Sequence, residues 1–204
     1  DNHSKYNTKY IYRFIEPKIT INQSSESQTI YNIDIISFQY EDGNRDAETL
    51  IVDPLTKDIF ILSKKGKFIH IYTLPYPQST DNILTAKLVN TIDFRPDHNN
   101  SAVDRIVAGD ISDDGMEILV KSSVNIFHFP RHVNQTVGEA FNNIMTTVKY
   151  ILEPQGEAIG WHAENHGYFT ISEENHNIST HLYFYPRLVG CMDKNATNYN
   201  PYAK

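Results

Sequence analysis

The sequence predicts an all-β protein, a β-propeller made of four-stranded antiparallel blades, with this chain supplying a little over three of them. Three observations carry that prediction. Tyr and Phe are abundant, at 13 and 10 residues, in a chain that is 40% hydrophobic, and aromatic residues favour strands. Four segments share an aromatic strand that ends at proline: KYIYRFIEP (9–17), FIHIYTLPYP (68–77), NIFHFPR (125–131) and HLYFYPR (181–187). The last three are each preceded by an acidic residue, an apolar strand, a turn and a second apolar strand. These are DAETLIVDPLTKDIFILSK (46–64), AGDISDDGMEILVKS (108–122) and QGEAIGWHAENHGYFTIS (155–172).

Each element has a local reason. The turns DPLTKD, DDG and AENHG carry the Asp, Asn, Gly and Pro that hairpins need. A third recurrent element, alternating with period two, follows the aromatic strand or a polar loop: TIYNIDIISFQY (29–40), LTAKLVNTIDF (84–94) and TTVKYILEP (146–154). Such alternation marks a strand with one buried face. The one helical candidate, VGEAFNNIMTTVKY (137–150), has mixed apolar spacing and reads as a loop running into an outer strand.

Residues 9–40 then supply the third and fourth strands of a blade. Residues 46–94 and 108–154 supply two whole blades, and 157–186 three strands, about thirteen in all. Four-stranded units recurring at this interval are the propeller signature. A blade cannot bury both faces alone, so neighbours stack. Propellers close with four to eight blades, so the count calls for strands from another chain or a preceding segment. The organisation expected is 1–187 as blades, the first incomplete, and 188–204 as the start of a Cys-containing extracellular tail.

Composition removes some functions. A net charge of −7 argues against sequence-independent nucleic-acid binding, which needs a basic surface. No apolar run reaches membrane-span length, and no basic segment followed by an apolar one opens the chain as a signal peptide would.

Sequons point outward. N-x-S/T occurs at Asn2, Asn22, Asn99, Asn134, Asn177 and Asn195, against roughly 2 to 3 expected by chance from this composition. Two readings stand: glycosylated surface loops of a secreted protein, or an Asn-rich composition without glycans.

For chemistry, the acidic residues heading the innermost strands stand out: Asp46 and Glu48, Asp110, and Glu157. If Glu48, Asp110 and Glu157 are equivalent in three blades, they converge on the central channel. Converging oxygen ligands suit a hard cation such as Ca²⁺, and Asn44 is a candidate fourth ligand. The competing reading has these carboxylates accepting backbone N–H groups from the next blade's inner strand, or solvated in a wet channel. His162 and His166 stand four apart, but on a hairpin turn, where helical metal spacing loses its meaning. Asp110, Asp113 and Asp114 before Gly115 lack the rest of an EF-hand. No G-x-S-x-G, P-loop or G-x-G-x-x-G motif is present, and no catalytic residues are assigned. Trp161 falls on an inner strand as a packing residue between blades. Tyr10, Tyr12, Tyr72, Tyr183 and Tyr185 lie on third strands, either packing between blades or offering a contact surface for a subunit or glycan.

The stretches IYRFIEP, FQYEDGNRDAETLIVDPLTKDIFILSK, AGDISDDGMEILVK and PQGEAIGW resemble secreted WD40-like propellers, grouped by fold with quinoprotein-dehydrogenase-like propellers. The resemblance implies a further blade upstream and no assigned activity. The tail GCMDKNATNYNPYA resembles a short extracellular repeat, GC-x-D-x-x-A-x-NYNP-x-A, that normally closes on a second cysteine. This implies a partner for Cys191 outside the chain, with a free, partly buried thiol as the alternative. The function expected is a non-enzymatic extracellular structural or binding propeller, a segment of a larger secreted glycoprotein assembly such as a surface layer, filament or appendage. Its partners are other chains or copies in that assembly. The alternative is a Ca²⁺-dependent propeller hydrolase, lactonase- or phosphoesterase-like.

Overall fold

The computed structural model describes residues 5–18, 20, 27, 29–94, 105–175, 178–187 and 193–197. Cys191 and the sequons at Asn2, Asn22, Asn99 and Asn177 lie outside the described residues. Among those described, thirteen strands and one short helix form.

A half-blade comes first, β1 (Lys9–Arg13) and β2 (Asp34–Tyr40), paired antiparallel from Lys9↔Phe38 to Arg13↔Asp34. The first full blade is β3 (Ala47–Val52), β4 (Ile59–Ser63), β5 (Ile69–Leu74) and β6 (Leu84–Ile92). The second is β7 (Ile106–Ile111), β8 (Glu117–Ser122), β9 (Ile126–Pro130) and β10 (Thr146–Val148). The third has β11 (Gly156–Trp161), β12 (Gly167–Ser172) and β13 (Leu182–Pro186). Each blade is an antiparallel meander in chain order. β2 adds to the outer edge of the first blade by a short parallel pairing with β6. The inner strands stack in sequence, β3 against β7 and β7 against β11. That succession of four-stranded meanders, inner strand to inner strand, is the propeller architecture.

The burial follows the layering. β4 is buried at every position and β8 at all but its first, because these middle strands have a neighbouring blade on each face and carry continuous Ile, Leu and Val. Three apolar cores result, each between adjacent units. Ile36, Phe38 and Tyr40 of β2 pack on Ile59, Ile61, Tyr72 and Leu74. Ile51, Phe60 and Leu62 of the first blade pack on Ile106, Ile118, Val120, Phe127 and Phe129 of the second. Leu119 and Ile126 meet Tyr168 and Tyr185 of the third.

Two expected strands are shorter in the structure. The 29–40 segment is extended only from Asp34, with Asn32 in the left-handed region at φ 58°. The 146–154 segment pairs only over Thr146–Val148. Beyond it Tyr150 and Glu153 turn inward to meet buried Lys121 and Thr170, so those residues leave the ladder. Within 137–150, Val137–Ala140 forms one helical turn, α1. Thr136 caps it, accepting from Glu139 N–H while Glu139 reaches back to Thr136 N–H, the reciprocal box that satisfies two orphan donors. No helix among the described residues is long and apolar enough to cross a membrane.

Candidate functional site

The inner strands carry a β-bulge at the same place in each blade. The register shifts between Ala47 and Thr49, between Ile106 and Ala108, and between Gly156 and Ala158. Opposite the start of each bulge sit Ser63, Ser122 and Ser172. A bulge places one extra residue and re-aims its side chain. The bulged residues are therefore Glu48, Val107 and Glu157.

This corrects the expected equivalence of the three carboxylates. Glu48 and Glu157 match, but Asp110 stands three residues further along, in register with Ile51 and Gly160. The acidic residue of the second blade sits inside the strand, since β7 begins at Ile106, upstream of the AGD stretch. Each carboxylate has its own setting. Glu48 Oε1 takes Lys64 Nζ at 2.5 Å. Asp110 accepts the backbone N–H of Trp161 at 2.6 Å and its neighbour Ile111 N–H at 2.9 Å, which is the inner-strand bond from the next blade. Burial pushes the Asp110 carboxyl up, against those two hydrogen bonds. Burial also raises Glu157, with Glu173 and Glu48 adding to it and Lys64 and Lys121 opposing. Among the described residues the one His, Cys, Asp and Glu group with ligand atoms within 4.8 Å of one another is His162, Glu164 and His166, on the exposed turn between β11 and β12. The hairpin thus gathers the two histidines that helical spacing did not explain. Asn44 instead donates to Asn7 Oδ1 at 2.7 Å.

A cavity of about 1010 Å³ lies between β1 and β3. Its walls are Thr8 and the successive residues Lys9–Tyr12 of β1, with Phe38, Tyr40, Arg45, Glu48, Leu50 and Ile61 opposite. β1 pairs with β2 along one edge and, among the described residues, has no strand along the other. In the full blades that second edge is occupied by a middle strand, then an inner one. The exposed side chains agree. Val52 is 47% exposed, while its register partner in the next blade, Ile111, is 6% exposed against the preceding blade. Leu50 is 42% exposed; its counterpart is Gly109, where a Cβ would lie 2.8 Å from Thr49 Cγ2 and 3.0 Å from Ile51 Cδ1. β7 therefore seats closely on β3, and β3 presents the same face to open space.

The floor of this groove is braced. Tyr72 donates to Asp42 Oδ1 at 2.8 Å and accepts from Arg45 Nε at 2.7 Å, while Arg45 Nη2 lies 2.6 Å from Asp42 Oδ2. Burial, with the Asp42 bond, pushes the Tyr72 hydroxyl up to about 12 against the Arg45 charge. The network fixes the β2–β3 turn, leaving the groove preformed. The tyrosines of the third strands divide accordingly: Tyr72 and Tyr185 are buried between blades, whereas Tyr10 and Tyr12 are 56% and 60% exposed along β1. Leu50 and Arg45 were not legible as groove residues, because their exposure depends on which strands lie beside them in the fold.

No protein-family model matches the chain, and no curated protein sequence matches it. Similar solved structures include TolB from Acinetobacter baumannii, at 13% identity over 76% of this chain with a TM-score of 0.45. Hsv2 of Kluyveromyces lactis is 13% identical over 80% of this chain with a TM-score of 0.39. A complex of KlAtg21 with the coiled coil of AgAtg16 gives 15% over 73%, with a TM-score of 0.36. The chain spans 35%, 52% and 49% of those three chains respectively. The blade assignment rests on the strand topology, to which these likenesses add no weight.

Proposed function

We propose that this chain is a non-enzymatic binding propeller of an extracellular assembly, whose first blade is completed by a β-hairpin laid against β1 and β3. The observation that carries the proposal is the groove of about 1010 Å³ between β1 and β3, where no further strand lies beside β1 among the described residues. Strands in a sheet lie about 4.8 Å apart, and the groove takes the place of two of them. An open edge with apolar flanks is a template for strand addition. Leu50, Val52 and Ile11 offer the apolar side, and Arg45, Lys9 and Glu48 the rim. The extracellular setting is supported by Asn134 and Asn195, both sequon asparagines with exposed side chains. The settings of Glu48 and Asp110, engaged by Lys64 and by backbone N–H groups, favour binding over hydrolysis.

Hydrogen exchange tests the reading. In the isolated chain the β1 amides not bonded to β2 exchange within the dead time. In native assembled material they become protected together with those of β3. If the β1 edge exchanges equally fast in the native material, the strand-addition reading fails.

A further inference from the structure

A second cavity, about 340 Å³, lies between the second and third blades, away from the β1 groove. We infer that it is a binding site for a neutral carbohydrate ring, a site that does not depend on the strand-addition reading.

The pocket has an apolar body and a polar end. Leu119, Val148, Trp161 and Tyr168 form the body. At the polar end Glu117 and His128 are diagonal neighbours on β8 and β9, with His128 Nε2 3.2 Å from Glu117 Oε2. Arg187, just beyond β13, places Nη2 2.7 Å from Glu117 Oε1. Its guanidinium also lies 5.4 Å from the centre of the Trp161 ring. Burial alone would raise the Glu117 carboxyl, but the His128 bond and the Arg187 charge outweigh it and hold it below its ordinary value. Glu117 therefore stands as a charged acceptor at neutral pH.

Glu117 and Arg187 pair across this end yet keep side chains 26% and 33% exposed beside the cavity, so each still has polar surface to offer. The ligand must bring an acceptor to Arg187, a donor to Glu117, and an apolar side to Leu119, Val148 and Tyr168. An anion meets the Glu117 carboxylate and a cation meets Arg187. A neutral sugar ring meets all three demands, since each hydroxyl both donates and accepts and the C–H face is apolar.

The equivalent place between the first and second blades shows what a filled pocket looks like. There Arg131 follows Pro130 as Arg187 follows Pro186, and it is enclosed by Asp53, Gly115 O and Gln135 O. Val137, Ala140 and Phe141 complete that core. Among the described residues nothing takes the place of α1 beside Arg187.

Trp161 is the single tryptophan of the chain, so its indole N–H gives one nitrogen–proton resonance and its fluorescence reports this pocket alone. The test titrates glucose and N-acetylglucosamine into the full chain and follows that resonance, with benzoate as the anionic probe. A saturable shift with either sugar is expected. It should weaken about tenfold or more in Glu117→Gln, which removes a charged acceptor. Val148→Phe, which fills the apolar body and leaves the polar end intact, should abolish it while the remaining spectrum keeps its dispersion. No shift up to high millimolar sugar overturns the inference, as does saturation by benzoate alone. A sugar-induced shift that survives in both variants also overturns it, since the ligand then sits elsewhere.

Discussion

The two interfaces among the three successive blades use the same residue for opposite ends. In each, an arginine directly after the proline of the third strand reaches back toward the preceding blade. Between the first and second blades, Arg131 and Asp53 pair at 3.0 Å with side chains 6% and 2% exposed. Asp53 is also held by Leu55 N–H and the Thr56 hydroxyl. Between the second and third blades, Arg187 and Glu117 are 33% and 26% exposed and border a cavity. The difference teaches that a repeated motif fixes where a charge is delivered. What surrounds it decides whether that charge becomes a staple or a site.

The widest gap between the interfaces should be seen in Asp53→Ala. It removes one partner of a buried pair and leaves the Arg131 charge beside two carbonyls, and such breakage costs about 3–5 kcal/mol. Urea unfolding of the variant should show the midpoint fall with the slope unchanged. A loss of a few tenths of a kcal/mol would mean that the closed interface is no tighter than the open one.

The open interface has a buried charge of its own, and it gives a pH signature. Lys121 is fully buried on β8. It donates to Ser122 O at 3.1 Å, the Tyr150 hydroxyl at 2.9 Å and Gly156 O at 2.5 Å. Burial pushes it down to about 8, with Glu153 and Glu157 opposing. Between that value and its ordinary 10.5 the unfolded chain binds the extra proton, so stability rises with pH across the window. The integrated effect is about 3 kcal/mol. Lys121→Met should flatten this slope between pH 8 and 10.5, measured by unfolding at several pH values. A slope unchanged in the variant would locate the titration elsewhere.

Next in size is the seating of β7 on β3. Gly109→Val puts a side chain where Thr49, Ile51 and Leu119 O already stand within 3.0 Å. Overpacking of this kind costs about 1–3 kcal/mol. The matching change in β3, Leu50→Val, faces the open groove and should be near neutral in the isolated chain. If the two cost the same, β3 is not the uncovered inner strand.

Much of this architecture was legible in the sequence. The aromatic-Pro segments and the turns between them mark strands by period and by turn chemistry, both local properties. Strand ends were less legible where a side chain is drawn inward, as Tyr150 and Glu153 are by Lys121, because that depends on a neighbour far along the chain. The expected equivalence of the three carboxylates failed for a different reason. Aligning Asp110 with Glu48 and Glu157 matched acidic letters, whereas the structure aligns bulges, and the serine opposite each bulge would have been the better marker. The Pro-Arg pairs at 130–131 and 186–187 stood in the quoted repeats, yet nothing local says that one arginine meets Asp53 and the other a pocket.

The smallest expected effect is also the sharpest discriminator between the interfaces. Arg187→Ala removes a half-exposed ion pair, which contributes about 0–1 kcal/mol, and its contact with the Trp161 ring. Its midpoint should therefore shift far less than that of Asp53→Ala, although both arginines occupy the same place in their blades. The change at Trp161 should still be visible, because the guanidinium over the indole alters its fluorescence. A large loss of stability in Arg187→Ala would show that the second interface is stapled as the first is, and that its cavity is closed in solution. A small loss with altered Trp161 emission leaves Arg187 as a residue held at the pocket edge for something other than the fold.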